Sequence, residues 1–337
     1  MSIRVGINGF GRIGRSVFRI LNERADVEVV AINDLYDNAQ LAYLLRHDTV
    51  MGELAYEVRS DAEHLYVGSP RGERSVVMTD ERAPEKIPWG ALGADIVVES
   101  TGAFRTRDQL VGHLVGGARK VILTVPAKDD IDAMIVMGVN DDTLRPEHRL
   151  VSNASCTTNC LAPLAKVLDD AFGIEEGIMT TVHAYTNDQR LADVPHKDLR
   201  RSRAAAENII PTTTGAARAV GKVLPQLTGR LDGIAMRVPV PDGSIVDLSV
   251  RFRSQPNAAA INAAMKSAAE GRLERIIEYS EVPLVSSDII GNPHSSIFDA
   301  LSTRATGDGY AKVVAWYDNE WGYSQRVVDL IEAMARI

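Results

Sequence analysis

An α/β fold with two domains is what this sequence predicts, and three observations carry the prediction. Short apolar runs alternate with helix-length segments through the first half of the chain. A glycine-rich turn, Gly9–Gly14, directly follows the first of those runs. Past about residue 151 the pattern changes to a clearer apolar–polar alternation. Strands alternating with helices give βαβ units and a doubly wound, mostly parallel sheet of Rossmann type. Alternation at period two gives a mixed or antiparallel sheet with one exposed face, and so an α+β second domain. The length, 337 residues, exceeds what one ordinary core sustains.

Ile3–Asn8 reads as the first strand, Arg12–Asn22 as a helix and Val27–Asn33 (VEVVAIN) as a buried strand. Ile96–Glu99, Val121–Val125 and Ile135–Val139 repeat the strand pattern, with a helix-length segment over Asp108–Gly116. Gly68–Gly72 and Thr79–Lys86 read as surface connections. Cys156–Asp170 is predicted helical: Asn153 and Ser155 are cap-type residues, and Leu161, Leu164, Val167 and Leu168 form the apolar stripe. Gly233–Pro239, Ser244–Phe252 and Tyr310–Tyr317 read as strands, Ala258–Glu270 and Tyr323–Arg336 as helices. The expected boundaries are a nucleotide-type domain over residues 1–152, completed by a C-terminal helix within 318–337, and a second domain over 153–317.

Composition removes several classes. Hydrophobic residues at 45% and charged residues at 24% describe a globular chain and not a disordered one. Lys+Arg 37 against Asp+Glu 45 gives a net charge of −8, which offers no global attraction to nucleic acid or an anionic membrane. Two cysteines, Cys156 and Cys160, cannot build a disulfide framework and fit a reducing compartment. Neither a signal-peptide pattern nor a run of about 18 apolar residues occurs, so the expected location is the cytoplasm.

Gly9-Phe-Gly11-Arg-Ile-Gly14 matches G-x-G-x-x-G, follows a strand, opens a helix, and has Asp34 at the end of the next strand, 20 residues beyond Gly14. Glycines allow the tight turn and let backbone approach a pyrophosphate, while the helix N-terminus offers N–H groups and partial positive charge. Asp34 would accept hydrogen bonds from ribose hydroxyls and repel a 2′-phosphate, which argues for NAD over NADP. The plainer explanation is a glycine turn that packs a strand on a helix.

Cys156 stands where a loop becomes a helix, a position that favours thiolate over thiol. Free cysteine is also often a small buried hydrophobe, and that explanation stays open. Cys160, one turn on, is better placed for packing or as a resolving thiol. No further cysteine and no nearby histidine completes a metal-ligand set. His183 ends the apolar run Ile178–Val182, a rigid place from which to present a base, although a structural histidine would read the same way. Arg200, Arg201 and Arg203 form either an anion site or a solvated face. Arg237, inside an apolar run, needs a partner. Thr212–Gly215 precedes an apparent helix from Ala216, where hydroxyls and N–H groups could hold phosphate.

Six ordered blocks carry a resemblance. They are Ile7-Asn-Gly-Phe-Gly-Arg-Ile-Gly14, Asn33-Asp34, Ser152-Asn-Ala-Ser-Cys-Thr-Thr-Asn159, His183-Ala-Tyr-Thr-Asn-Asp188, Ile209-Ile-Pro-Thr-Thr-Thr-Gly-Ala216 and Trp316-Tyr-Asp-Asn-Glu-Trp-Gly-Tyr323. From end to end the chain resembles the glyceraldehyde-3-phosphate dehydrogenase family. The resemblance implies phosphorylating oxidation of D-glyceraldehyde 3-phosphate by NAD to 1,3-bisphosphoglycerate, a step of glycolysis and gluconeogenesis. In it the Cys156 thiolate attacks the aldehyde and His183 acts as base. Hydride passes to NAD, and inorganic phosphate releases the thioester. By the same resemblance Thr186, Asp188, Arg200 and Arg237 take the substrate phosphate, with Arg200 chosen over Arg201 on the Asp-Leu-Arg context. Ser155, Thr157, Thr214 and Gly215 line the attacking-phosphate site. Gly9, Gly11, Arg12, Ile13, Gly14, Asp34, Thr101, Thr124, Asn319 and Tyr323 are the implied NAD contacts, and no metal is implied. Val194-Pro195 sits where NAD-specific members carry an apolar residue and proline. A homotetramer is also implied, with the segment after His183 along the subunit contacts.

The alternative is the sister enzyme erythrose-4-phosphate dehydrogenase, which shares the cysteine block and the histidine. A redox- or NAD-sensing protein without turnover is a second alternative, since an activated thiol is oxidation-prone. Such a sensor has no need of Arg200, Arg237 and the Thr214 loop together.

Overall fold

The computed structural model describes residues 2–337. They separate into two compact units: the chain up to Ile135 with Asp142–Ala154 and Ser324–Ile337, and Val136–Asp141 with Ser155–Tyr323.

The first unit is built on β1 (Ile3–Asn8), α1 (Arg12–Asn22), β2 (Val27–Asn33), α2 (Asn38–Arg46), β3 (Val58–Ser60), β4 (His64–Val67), β5 (Arg74–Thr79), α3 (Trp89–Leu92), β6 (Ile96–Glu99), α4 (Arg107–Val115), β7 (Lys120–Leu123), β8 (Ala133–Met134) and β9 (Leu150–Ser152). Its nine-stranded sheet runs in the order β3-β4-β5-β2-β1-β6-β7-β9-β8. The β5-β2-β1-β6-β7-β9-β8 part is parallel, and only β3 and β4 pair antiparallel. Val27–Asn33 is a near-continuous buried run because parallel strands are covered on both faces. One core cluster gathers Val30, Ala31, Ile87, Trp89, Ala94, Val97 and Ala118. Within this unit the C-terminal segment is tied down by Lys120 Nζ, which donates to Met334 O at 2.7 Å.

One expected strand is absent. Ile135–Val139 continues the sheet for a single bond, Ile135 N–H to Ser152 O at 2.9 Å, and then turns. Gly138 sits at φ +80°, where a side chain would strain the backbone and a Cβ would meet Ile276 and Leu273 at 2.9 Å. The Asn140 side chain accepts the Val136 N–H and closes the turn. The run is apolar because it is buried, not because it is extended.

The second unit holds α5 (Cys156–Phe172), β10 (Ile174–Ala184), β11 (Ile210–Thr213), α6 (Ala216–Val223), β12 (Leu231–Val238), β13 (Ser244–Phe252), α7 (Ala258–Ala269), β14 (Ile277–Ser280), β15 (Ser296–Asp299), β16 (Arg304–Ala305), β17 (Tyr310–Tyr317) and the first turn of α8 (Trp321–Arg336). The sheet order is β11-β12-β10-β13-β17-β15-β14, with β16 beside β17. It is mixed: β10 lies parallel to β12 and antiparallel to β13. The helix α5 buries Cys160, Leu161, Leu164 and Leu168 completely. α8 starts two residues earlier than the sequence pattern predicts because the Asp318 carboxyl accepts the N–H groups of Glu320 and Trp321.

Candidate active site

In the first unit the glycine turn is shaped for backbone to meet a ligand. Gly9 has φ +90°, and a Cβ there would lie 2.7 Å from Thr101 N. Gly14 packs so tightly that a Cβ would fall 2.1 Å from Gly9 O, whereas a Cβ on Gly11 would face open space. The first turn of α1 therefore presents its N–H groups, with no side-chain cap to occupy them. Asp34 accepts the Phe10 N–H at 2.6 Å and the Tyr36 N–H at 3.2 Å, fixing its carboxylate against the loop. Beside it opens a cavity of about 570 Å³ lined by Leu35, Tyr36, Asp37, Ser60, Asp61 and Thr79. This open, N–H-rich cradle fits a dinucleotide pyrophosphate, and the cavity fits its adenosine end.

Other expected contacts lie close by. Arg12 reaches Asp48 at 2.5 Å, Ile13 is half-buried, and Thr124 Oγ1 donates to Glu99 O at 3.0 Å. Thr101 donates its N–H to Glu99 Oε1 at 2.8 Å, and its hydroxyl bonds the same oxygen. Behind them lies a buried polar chain that the sequence did not disclose. Trp89 Nε1–H donates to His113 Nδ1, so His113 carries its proton on Nε2 and donates to Glu99 at 3.0 Å. Asn8 Nδ2 donates to the same carboxyl at 2.5 Å and Asn33 Nδ2 to Asn8 Oδ1 at 2.8 Å.

In the second unit Ser155 caps α5 by accepting the Thr158 N–H at 3.0 Å, which leaves Cys156 as the first helical residue. Cys156 Sγ lies 3.4 Å from His183 Nε2. His183 ends β10, and Thr181, two residues back on the same strand face, hydrogen-bonds Tyr317 Oη at 2.9 Å. Thr157 Oγ1 also meets Tyr317 Oη, at 2.8 Å, while the tyrosine ring edge packs on His183.

Two neighbours crowd His183 Nδ1: Ala184 O at 2.7 Å and Arg237 Nη1 at 2.5 Å, the latter also 2.9 Å from Ala184 O. A carbonyl only accepts and a guanidinium only donates, so one arrangement satisfies all three groups. Nδ1–H and Arg237 both donate to the two lone pairs of Ala184 O, and the short N···N approach is contact without a hydrogen bond. That assignment, made from the network, turns the Nε2 lone pair toward Cys156.

Burial pushes the Cys156 thiol up, while the Arg237 charge and two hydrogen bonds from Thr157 pull it down. Cys156 is only half-buried by exposure, which weakens that upward push. Burial and then Arg237 push His183 down to about 3, with the Ala184 carbonyl opposing. At 3.4 Å the two groups titrate as a pair. Cys160 is different in kind: fully buried near Ser296 Oγ, its thiol is pushed up to about 12 by burial. The geometry thus sets Cys156, half-buried against an imidazole, apart from a packing thiol.

Arg237 keeps a buried Nε with no partner. The second arginine turned toward the neighbouring polar cluster is Arg201, whereas the expected Arg200 is turned outward. Arg201 ion-pairs with Asp188 and donates to Thr212 Oγ1 at 2.9 Å, whereas the Arg200 side chain is exposed. A one-residue phase in an irregular segment decides this, and spacing does not set it. Thr186 donates its N–H to Gln189 at 3.3 Å. Thr214 Oγ1 accepts the Ala216 N–H at 3.2 Å, and Gly215 borders open space at the start of α6. Ser155 Oγ and Thr158 Oγ1 lie 2.7 Å apart, and Thr158 Oγ1 donates to Ala216 O at 3.3 Å, joining the starts of α5 and α6. Asn319, buried, accepts from Ser244 Oγ at 2.6 Å, and Tyr323 is buried in the first turn of α8. Among the described residues no group of three or more His, Cys, Asp or Glu side chains is arranged to hold a metal.

A thiol facing an imidazole lone pair is equipment for attack on a carbonyl carbon. A Rossmann turn with an acidic residue after the second strand is equipment for NAD. The two in one chain define an NAD-dependent dehydrogenase. Residues 3–107 match the family model described as glyceraldehyde 3-phosphate dehydrogenase, NAD binding domain, and residues 155–319 match that of the C-terminal domain. The chain belongs to the glyceraldehyde-3-phosphate dehydrogenase family. Proteins named glyceraldehyde-3-phosphate dehydrogenase are similar over nearly the whole length. One of Mycobacterium avium is 54% identical over 100% of this chain and 99% of its own. One of Streptomyces coelicolor is 57% identical over 98% of each chain, and one of Geobacillus stearothermophilus 56% over 99% of each. These matches do not favour the erythrose-4-phosphate alternative.

Proposed function

We propose that this enzyme oxidises D-glyceraldehyde 3-phosphate with NAD and inorganic phosphate to 1,3-bisphosphoglycerate, in glycolysis or its reversal. The observation that carries the reading is the Cys156–His183 pair beside an arginine with an open, buried Nε.

Cys156 Sγ bonds to the aldehyde carbon as its proton passes to His183 Nε2, and the Cys156 N–H at the helix start steadies the developing oxyanion. The carbonyl oxygen takes a proton back to give a hemithioacetal. NAD, when bound, supplies the hydride acceptor. His183 then removes the hydroxyl proton as hydride leaves the carbon, giving a thioester. A phosphate oxygen attacks that carbonyl, and Sγ departs with the electron pair, which yields the acyl phosphate. Arg237, Arg201, Thr186 and Asp188 surround the substrate phosphate. Ser155, Thr157, Thr214 and Gly215 border the attacking phosphate, with the Thr157 hydroxyl also supporting the sulfur. Asn319 orients the carboxamide, its Oδ1 fixed by Ser244.

Self-association is part of the proposal. Leu191, Val194, Leu199 and Ile209 on the segment after His183, and Ile178 and Ile234 on β10 and β12, are exposed apolar side chains that a homotetramer would cover. Among the described residues no helix is long and apolar enough to cross a membrane, and the proposed location is the cytoplasm.

NADH formation from the triose phosphate, with and without inorganic phosphate and beside erythrose 4-phosphate, tests the reading. Fast phosphate-dependent turnover of the triose, abolished in Cys156→Ser with NAD binding intact, is expected. Preference for the tetrose or indifference to phosphate would overturn it.

A further inference from the structure

Asp242 and Asp318 are both 1% exposed, and each carboxyl acts on the other's titration at close range. Two buried carboxyls at close range do not both stay ionised. The backbone decides which one holds it. Asp318 accepts three N–H groups, from Gly291 at 2.7 Å, Glu320 at 2.8 Å and Trp321 at 2.6 Å. Asp242 accepts only the Gly243 N–H, at 2.8 Å, and its Oδ2 is buried with no N–H donor. The proton therefore resides on Asp242, and the three N–H groups favour the charged form of Asp318.

This contact closes a turn next to the chemistry. Gly243, at φ +83°, packs so closely on Ser286 O that a Cβ would lie 2.1 Å away. The next residue, Ser244, accepts the Ala184 N–H at 3.0 Å, one residue from His183, and donates to Asn319 Oδ1 at 2.6 Å. The charged and titratable groups on the surrounding segments are Asp318 and Glu320 after β17, Asp288 after Ser286, Arg237 on β12, His183 on β10 and Cys156 on α5. A negative charge on Asp242 would oppose the thiolate of Cys156.

We propose that Asp242, as a neutral carboxylic acid docked on Asp318, is a positioning residue of the reaction: it holds the Ser244 turn that fixes Asn319 and the end of β10, and it keeps negative charge away from Cys156. The proposal rests on the thiol–NAD reading of the site. Burial and the neighbouring carboxylates drive the Asp242 carboxyl far above the ordinary range, so its neutral form is lost only at alkaline pH.

The experiment compares Asp242→Asn and Asp242→Ala with the parent protein by NADH formation across pH and by alkylation of Cys156 with iodoacetamide. Asn keeps a donor toward Asp318 and cannot ionise. It is expected to rescue kcat to within about twofold at neutral pH and to lack the parent's alkaline loss of kcat. Ala is expected to lower kcat on the order of tenfold at every pH, with KM for the triose phosphate nearly unchanged. An Asn variant with the parent's alkaline limb, or an Ala variant with full kcat, would overturn the proposal. Where Ala fails to fold, the Asn profile decides alone. Alkylation needs no substrate, so a parent that reacts with iodoacetamide but does not turn over the triose exposes a failure of the functional reading and not of this one.

Discussion

Replacing Arg237 by Gln removes one positive charge from beside the Cys156–His183 pair, and the pair's titration should report it. Arg237 Nη1 is 2.5 Å from His183 Nδ1, and Nε2 is 3.4 Å from Sγ on the far side of the ring. The cation thus lies roughly 5–8 Å from the groups that exchange protons, which at an effective dielectric of ~20 is worth about 2–3 kcal/mol. Each proton lost from the pair removes a positive charge that Arg237 repels, so the cation lowers both apparent pKa values of the pair. Its removal raises both, by roughly 1.5–2 units. Iodoacetamide is uncharged, so its rate with Cys156 against pH reads thiolate population without bias from the reagent. The alkylation curve of Arg237→Gln should move up the pH axis by that amount, with the rate below the midpoint falling about 30–100-fold. Activity separates the second role. With the triose phosphate, kcat/KM should fall further by about 1.5–3 kcal/mol for a lost charge-assisted phosphate contact, a further loss that unphosphorylated glyceraldehyde should escape. An alkylation profile that stays in place would refute the electrostatic argument, whatever happens to KM.

Asp34→Asn should weaken NAD and improve NADP, because the 2′-phosphate no longer meets a carboxylate. An unchanged ratio of the two kcat/KM values would remove that argument. Arg201→Gln should raise KM for the triose phosphate by about tenfold, whereas Arg200→Gln should leave it within twofold; the larger effect at Arg200 would return the assignment to that residue. His113→Phe leaves the fully buried Glu99 carboxyl without its imidazole and Trp89 Nε1–H without its acceptor. Urea unfolding should show a loss of about 3 kcal/mol, and a loss below about 1 kcal/mol would show that the network relaxes around the gap.

What was legible in the sequence was local. β1, the glycine turn and α1 follow from steric rules acting within a dozen residues, and Asp34 from the length of one βα unit. Cys156 at a helix start follows from Ser155 as a cap. The strand expected at Ile135–Val139 failed because burial and extension both produce apolar runs, and Gly138 was the one residue that could have told them apart. The choice between Arg200 and Arg201 had no periodic element to set its phase. Tyr317 lies inside a quoted motif, yet its bonds to Thr157 and Thr181 cross 160 and 136 residues of chain. The shared face of Thr181 and His183 was the signal available for half of that arrangement. The β3–β5 meander does alternate, with Leu65, Val67, Val76 and Met78 turned inward, but strands of three, four and six residues repeat the period too few times to stand out.

The arrangement around Arg237 also accounts for why such a site can favour a phosphorylated substrate beyond simple binding. In the free enzyme burial holds the imidazole far below its ordinary pKa and the guanidinium pushes it further down, while the same cation opposes the upward push of burial on the thiol. The cation's effect on the thiol helps attack on the aldehyde, and its effect on the imidazole hinders the proton removal that accompanies hydride transfer. A phosphate dianion on the open Nε would offset the cation, so His183 would become more basic once substrate is in place. Binding energy from a group remote from the reacting carbon would then appear in kcat as well as in KM. Unphosphorylated glyceraldehyde leaves Arg237 uncompensated, and its oxidation should therefore be slow even at saturation. A kcat equal to that of the phosphorylated substrate, with only KM raised, would mean that Arg237 serves as an anchor and nothing more.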